Sequence, residues 1–161
     1  MYSSTVLSVF LFLAIVASPT LAYPAEADNQ TIVEVITVDD VSNLKDLPQG
    51  AKLIPLSQSR ATKGTIVYTL GQRVSLDKLV GQGANSQSYK SPQNVKLQIQ
   101  YPNNPNGGDI VTYVRIDVDQ SSNDGQAYVL SGGIGQRRII IIVEAYNTLW
   151  FNYNVAIYAK K

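Results

Sequence analysis

The sequence predicts an all-β fold: an antiparallel β-sandwich or small barrel of about six to eight short strands, preceded by a signal peptide. Three observations predict it. Apolar residues alternate with polar ones along several segments, as in Val95, Leu97, Ile99 and Tyr101 or Ile110, Thr112, Val114, Ile116 and Val118. That is the period of a half-buried strand, and the 3.6-residue period of an amphipathic helix is nearly absent. Turn formers then punctuate the chain at short intervals, among them Gly71, Pro102, Asn106-Gly107, Asp124-Gly125 and Gly132-Gly133.

Taken in order, Thr31 to Val38 is β-branched and alternating, which predicts a first strand. Val41 to Gln58 contains Pro48, Gly50 and Pro55 and reads as irregular connection. Thr65 to Thr69 is a short strand broken by Gly71-Gln72-Arg73. Val74 to Val80 fits either a strand or one helical turn, and Gly81 to Ser91 reads as loop. The strands ending at Tyr101 and beginning at Ile110 are joined through Asn106-Gly107, whose left-handed dihedrals predict a hairpin. Gln126 to Ser131 is another short strand. Arg138 to Ala145 holds four successive isoleucines, Ile139 to Ile142, and apolar groups on both faces predict a central strand covered on both sides. Arg137, Arg138 and Glu144 flank it as charged gatekeepers against aggregation. Leu149 to Ala159 places Phe151, Tyr153, Val155 and Ile157 on one face and Trp150, Asn152, Asn154 and Tyr158 on the other.

The amino terminus sets an expectation about compartment. An uncharged apolar run from Val6 to Ala17, closed by Pro19-Thr20-Leu21-Ala22, has the length and small-residue ending of a secretory signal with cleavage after Ala22. It is shorter than the roughly twenty residues a membrane-spanning helix needs. Three parts are expected: the signal at 1–22, an acidic leader with one strand at 23–63, and a β domain at 64–161. In its stretch from Glu26 to Asp46, Glu26, Asp28, Glu34, Asp39, Asp40 and Asp46 stand against Lys45 alone. It is either a solvated cover for a mildly basic domain or a pro-segment removed later. Asn29-Gln30-Thr31 is an N-glycosylation sequon, and export would give it its enzyme.

Composition narrows the chemistry. The chain has 161 residues, 45% hydrophobic and 16% charged, with a net charge of +1, so no global field draws it to nucleic acid or to an anionic membrane. It has no cysteine and no histidine. Disulfides, thiolate and imidazole nucleophile pairs and His- or Cys-ligated zinc are thereby excluded. Oxygen ligands remain. Asp117, Asp119 and Asn123, with Ser121 and Asp124, form the one weak metal candidate, but the turn glycine and the final acid of a calcium loop are replaced by Ser122 and Tyr128. Arg73, Arg137 and Arg138 are too few for a nucleic-acid patch, and no RNA-type aromatic signature accompanies them. No cofactor and no catalytic residue is expected.

Several pieces, in order and at matching spacing, resemble the insect multiprotein bridging factor 2 family in its secreted salivary or haemolymph-type form. They are Tyr68 to Arg73, Asp77-Lys78-Leu79-Val80, Ile110 to Val114 with Asp119-Gln120, Gly125, Ala127, Gly132 to Gly135, and Phe151 to Ala159. One departure is Leu76, where the family often has Gly. The family name implies a transcriptional co-activator that bridges a DNA-bound factor and the general transcription machinery, although many members look like secreted proteins.

The export signal, the sequon and the lack of a nuclear-type basic cluster favour a secreted, non-enzymatic binding protein in an extracellular fluid. Its partner would be a protein or small ligand rather than nucleic acid, with no membrane attachment once the signal is gone; the oligomeric state stays open. Recognition is expected in loops on the rigid β domain, at Asn103, Asn106 and Asp109, at Asn123 and Asp124, and at Gln136. The alternatives are the co-activator role that the family name implies and a small-molecule or lipid carrier.

Overall fold

The computed structural model describes residues 32–38, 53–60, 64–104 and 106–161. Among these are eight strands and no helix: β1 (Ile32–Val38), β2 (Ile54–Pro55), β3 (Ser57–Arg60), β4 (Ile66–Gly71), β5 (Lys78–Tyr101), β6 (Ile110–Gln120), β7 (Gly125–Gly132) and β8 (Ile139–Lys160). All pair antiparallel in one sheet that is not closed into a barrel. The all-β antiparallel expectation holds. The signal run, the cleavage point after Ala22, the Asn29 sequon and most of the acidic leader lie outside the described residues.

β8 is the spine of the sheet. Its first part pairs with β5 on one edge, from Val95↔Ala145 to Tyr101↔Ile139, and with β7 on the other, from Gly125↔Ala145 to Gly132↔Ile139. Its second part pairs with the start of β5, from Lys78↔Ala159 to Ser88↔Trp150, and with β6, from Ile110↔Lys160 to Gln120↔Phe151. Between the two parts both long strands bend. In β8 the bend falls at Asn147, which has φ 52°, and β5 answers with register shifts between Ser88 and Val95. A bulge of this kind turns a strand without ending its pairing. On the far side β2 pairs β7 and β3 pairs β4, with Leu56 alone between them.

The sheet therefore folds over on itself around one core. Leu97, Ile99, Ile139, Ile141 and Val143 from the first half join Ile66, Tyr68, Ile116, Phe151, Val155 and Ile157 from the second in a single buried cluster. Each such side chain contributes about 1.5–3 kcal/mol by leaving water. Val33 of β1 reaches across to β5, where its side chain occupies the space in which Gly83 would otherwise carry a Cβ.

Four expectations are corrected. The strands are not all short, because β5 runs for 24 residues and β8 for 22. Gly81 to Ser91 is no loop but part of β5: its small and polar residues find a ladder in residues 150–157 of β8, and Gly83 is there to admit Val33. The connection through Asn106-Gly107 turns as predicted, with Gly107 at φ 85° and the Asn106 N–H donating to Asn104 Oδ1 at 2.9 Å. Yet it closes no hairpin, since the strands on either side pair with different parts of β8. Finally, β2 and the first half of β3 fall in a segment read as irregular, and the pairing of these strands with β7 and β4 is a matter of distant partners that local sequence does not announce.

The isoleucine strand is central, paired on both edges, with Ile139 and Ile141 in the core and Ile142 buried on the opposite face. Glu144 is not a solvated gatekeeper. It is 2% exposed and accepts hydrogen bonds from Gln126 Nε2 at 2.8 Å, the Tyr128 hydroxyl at 2.9 Å and the Tyr146 hydroxyl at 2.5 Å. These donors replace the water that burial removes.

Candidate interaction face

At the end of the second half, where β4 stops, β5 and β6 begin and β8 finishes, several connections come together. Leu79 pairs with Tyr158, Tyr158 with Tyr113, and Tyr113 with Gly71, so these residues form one row across four strands on the outer face. The Tyr113 and Tyr158 rings stand 6.0 Å apart. The Arg73 guanidinium lies 3.6 Å above the Tyr158 ring, a cation–π contact.

Arg73 opens a turn of residues 72–77 that Asp77 organises. Arg73 Nε donates to both Asp77 carboxylate oxygens at 2.9 and 3.0 Å, and Nη2 lies 2.8 Å from Oδ1. The Val74 N–H donates to Oδ2 at 2.9 Å, and the Thr112 hydroxyl lies 3.1 Å from both Oδ2 and the Tyr158 carbonyl oxygen. The Arg73 hydrogen bond, helped by Val74 and Thr112 and opposed by burial, pushes the Asp77 carboxyl down to about 2. The turn is thus stapled to β6, and the Gln72 N–H adds a bond to the Thr112 carbonyl at 3.1 Å. Inside it Leu76 is held at φ 67° and is 88% exposed.

The loop of residues 132–136 covers the next edge. The Gly135 N–H donates to the Val111 carbonyl at 2.8 Å and the Val111 N–H to the Gln136 carbonyl at 2.9 Å. Ile134 lies directly over Gly71, where a side chain would collide with it and with the Thr112 carbonyl. The loop of residues 103–109 joins in through the Gly108 N–H, which donates to the Arg137 carbonyl at 2.9 Å, and through Arg137 Nη1, which donates to the Gly108 carbonyl at 3.0 Å.

Of the three loops predicted from sequence, then, two converge. The loop carrying Asn103, Asn106 and Asp109 meets Arg137, the residue after Gln136, through Gly108, and the Asp109 N–H is bound to the Tyr101 hydroxyl at 3.0 Å. The third lies at the bend instead: Arg60 donates to Asn123 Oδ1 at 2.8 Å, and the Tyr146 N–H donates to the Asp124 carbonyl at 3.1 Å. The turn of residues 72–77 was missed as a site. Its signal was there in the Arg73 and Asp77 spacing across a strand break, which local reading took for punctuation.

The weak metal candidate does not assemble. Asp117 is held by Arg115 at 2.7 Å, Asp119 accepts from Asn152 Nδ2 at 3.1 Å, and Asn123 is taken by Arg60. Among the described residues no three His, Cys, Asp or Glu side chains gather as a metal site would need.

The family model described as Transcription activator MBF2 matches residues 70–159 of the 161. The chain belongs to the MBF2 family. The match opens one residue before Gly71 and closes at Ala159, so in this MBF2 chain it contains the stapled turn, both long strands and the two converging loops. No curated protein and no solved structure matches the chain. The family description corrects the leading expectation of function: a secreted binding protein acting in an extracellular fluid gives way to a family described as a transcription activator.

Proposed function

We propose that this MBF2 chain is a transcriptional co-activator that bridges a DNA-bound factor and the general transcription machinery, by binding rather than by catalysis. One observation carries the reading: the family described as a transcription activator matches the sheet from the end of β4 to the end of β8. The geometry supports it. A bridging protein needs a rigid body with separated contact regions, and here one cluster of loops stands at the end of the second half while residues 120–125 stand at the bend.

The test fuses the full chain to a heterologous DNA-binding domain and measures a reporter bearing that domain's sites, while following the untethered chain by cell fractionation. Reporter activation together with nuclear chain is the expected result. A silent reporter, with the chain recovered outside cells without its first residues, overturns the proposal.

A further inference from the structure

We infer that the end face formed by the turn of residues 72–77, the loop of residues 132–136 and the ends of β5 and β8 binds an acidic peptide segment that carries apolar side chains. This rests on the co-activator reading and names the chemistry of one partner.

The first ground is apolar exposure: of the seven large apolar side chains exposed among the described residues, four belong to this end, the others being Ile54, Leu149 and Trp150. Val74, Leu76, Leu79 and Ile134 are 42%, 88%, 48% and 40% exposed: Leu79 pairs with Tyr158, Ile134 lies over Gly71 in the same row, and Val74 and Leu76 belong to the turn whose Arg73 stacks on Tyr158. Single exposed apolar residues mean little, but a group of four beside two aromatic rings marks a contact surface.

The second ground is backbone conformation. A leucine at φ 67° occupies a region that disfavours any residue with a Cβ, and this one places its side chain almost wholly in water. Neither the conformation nor the exposure helps the free fold. Asp77 nevertheless holds the turn from three sides, through Arg73, the Val74 N–H and the Thr112 hydroxyl, so Leu76 is presented in a fixed position. Strain of this sort, maintained by its surroundings, belongs where a side chain is needed for contact.

The third ground is charge. Lys78 pairs in register with Ala159, Lys160 with Ile110, and Lys161 and Arg137 are exposed at the same end. Arg73 and Asp77 neutralise each other, which among the described residues leaves Asp109 as the acid at this end with these four cations. An occupant that satisfies both apolar anchors and a cationic rim is an acidic chain with interspersed apolar residues.

The experiment is fluorescence anisotropy of the full chain with a short fluorescein-labelled peptide in which Asp and Glu alternate with Leu and Phe. Controls are the same peptide with Lys in place of every acid, a polyglutamate peptide, and a labelled DNA duplex. Saturable binding of the acidic apolar peptide, weakened by salt, is expected. Leu76→Gly should weaken it by about tenfold, the scale set by uncovering one leucine, while leaving the melting temperature unchanged or higher. The double substitution Lys78→Ala and Lys160→Ala should weaken binding and flatten its salt dependence.

Equal binding by Leu76→Gly, equal binding of the lysine-containing peptide, or preference for the duplex would each overturn the inference. In the tethered reporter, activation that survives all three substitutions would also overturn it and leave co-activation standing. A silent reporter with intact peptide binding would instead remove co-activation alone.

Discussion

At the scale of single residues, Asp77 and Leu76 are two sides of one device. The fold holds the Asp77 carboxyl at about 2 against an ordinary 3.8, chiefly through Arg73. A lowered acid stabilises the folded state above its unfolded value and loses that contribution as the pH falls through the folded one. The turn should therefore stay attached through the usual carboxylate range and release only near pH 2. A carbon-detected NMR titration of the Asp77 carboxyl checks this, and a midpoint near 3.8 would contradict it. Leu76 carries the opposite sign. Leu76→Gly removes a Cβ from left-handed backbone, which relieves about 1 kcal/mol of strain, partly offset by the freedom glycine gains in the unfolded chain. Urea unfolding should show stability equal to or slightly above the parent; a clear loss would mean that the side chain packs in the free protein.

At the scale of elements, the bend in β8 decides the architecture. Thr148 is wholly buried there. Its hydroxyl donates to the Trp150 carbonyl at 2.5 Å and accepts from the Ser121 N–H at 3.1 Å, tying the bend to the end of β6. Thr148→Val keeps the shape and leaves those buried groups without a partner, so a loss of about 1–3 kcal/mol is expected in equilibrium unfolding. A change near zero would show that the bend is held by the ladder alone. The strand segments on either side were legible because their alternation is local: Val95 to Tyr101, Ile110 to Val118 and Phe151 to Ala159 each state which face is buried. The continuity of β8 through Asn147 was not legible. Residues 146–148 fall between two segments read as separate strands, and they remain in one strand because the Asn147 N–H finds Asn94 Oδ1 at 3.0 Å and Thr148 finds Ser121, partners 53 and 27 residues away.

At the scale of the whole molecule, folding a single sheet over itself encloses phenols along with the aliphatic core. Burial raises the Tyr68 hydroxyl to about 12, an effect that Arg60 lessens and Asp124 reinforces. Burial also pushes Tyr101, Tyr128, Tyr146 and Tyr153 upward, and for Tyr128 and Tyr146 the Glu144 carboxylate adds to it. An acid raised by folding contributes stability that is complete below its unfolded value and is lost as the pH climbs through the folded one. The protein should hold its full stability up to about pH 10, the ordinary tyrosine value, and weaken steeply by about pH 12. Tyrosinate absorbance followed beside circular dichroism reads this directly. Half or more of the tyrosines ionising at pH 10 with the fold intact would refute it.

What the sequence determined by itself was the kind of element and the chemistry available. Alternation is read within a few residues, so the alternating strands and their buried faces followed from it, while β2, β3 and the polar first half of β5 did not, and the lack of His and Cys closed off whole reaction classes. Only the tertiary structure decided which strands pair, that residues 103–109 and 132–136 meet while residues 120–125 stand apart, and that Arg73 and Asp77 build a stapled turn beside them. The reason is physical. Pairing in an antiparallel sheet is fixed by which distant ladder buries the most surface and leaves the fewest backbone groups unsatisfied, and that comparison runs over the whole chain at once.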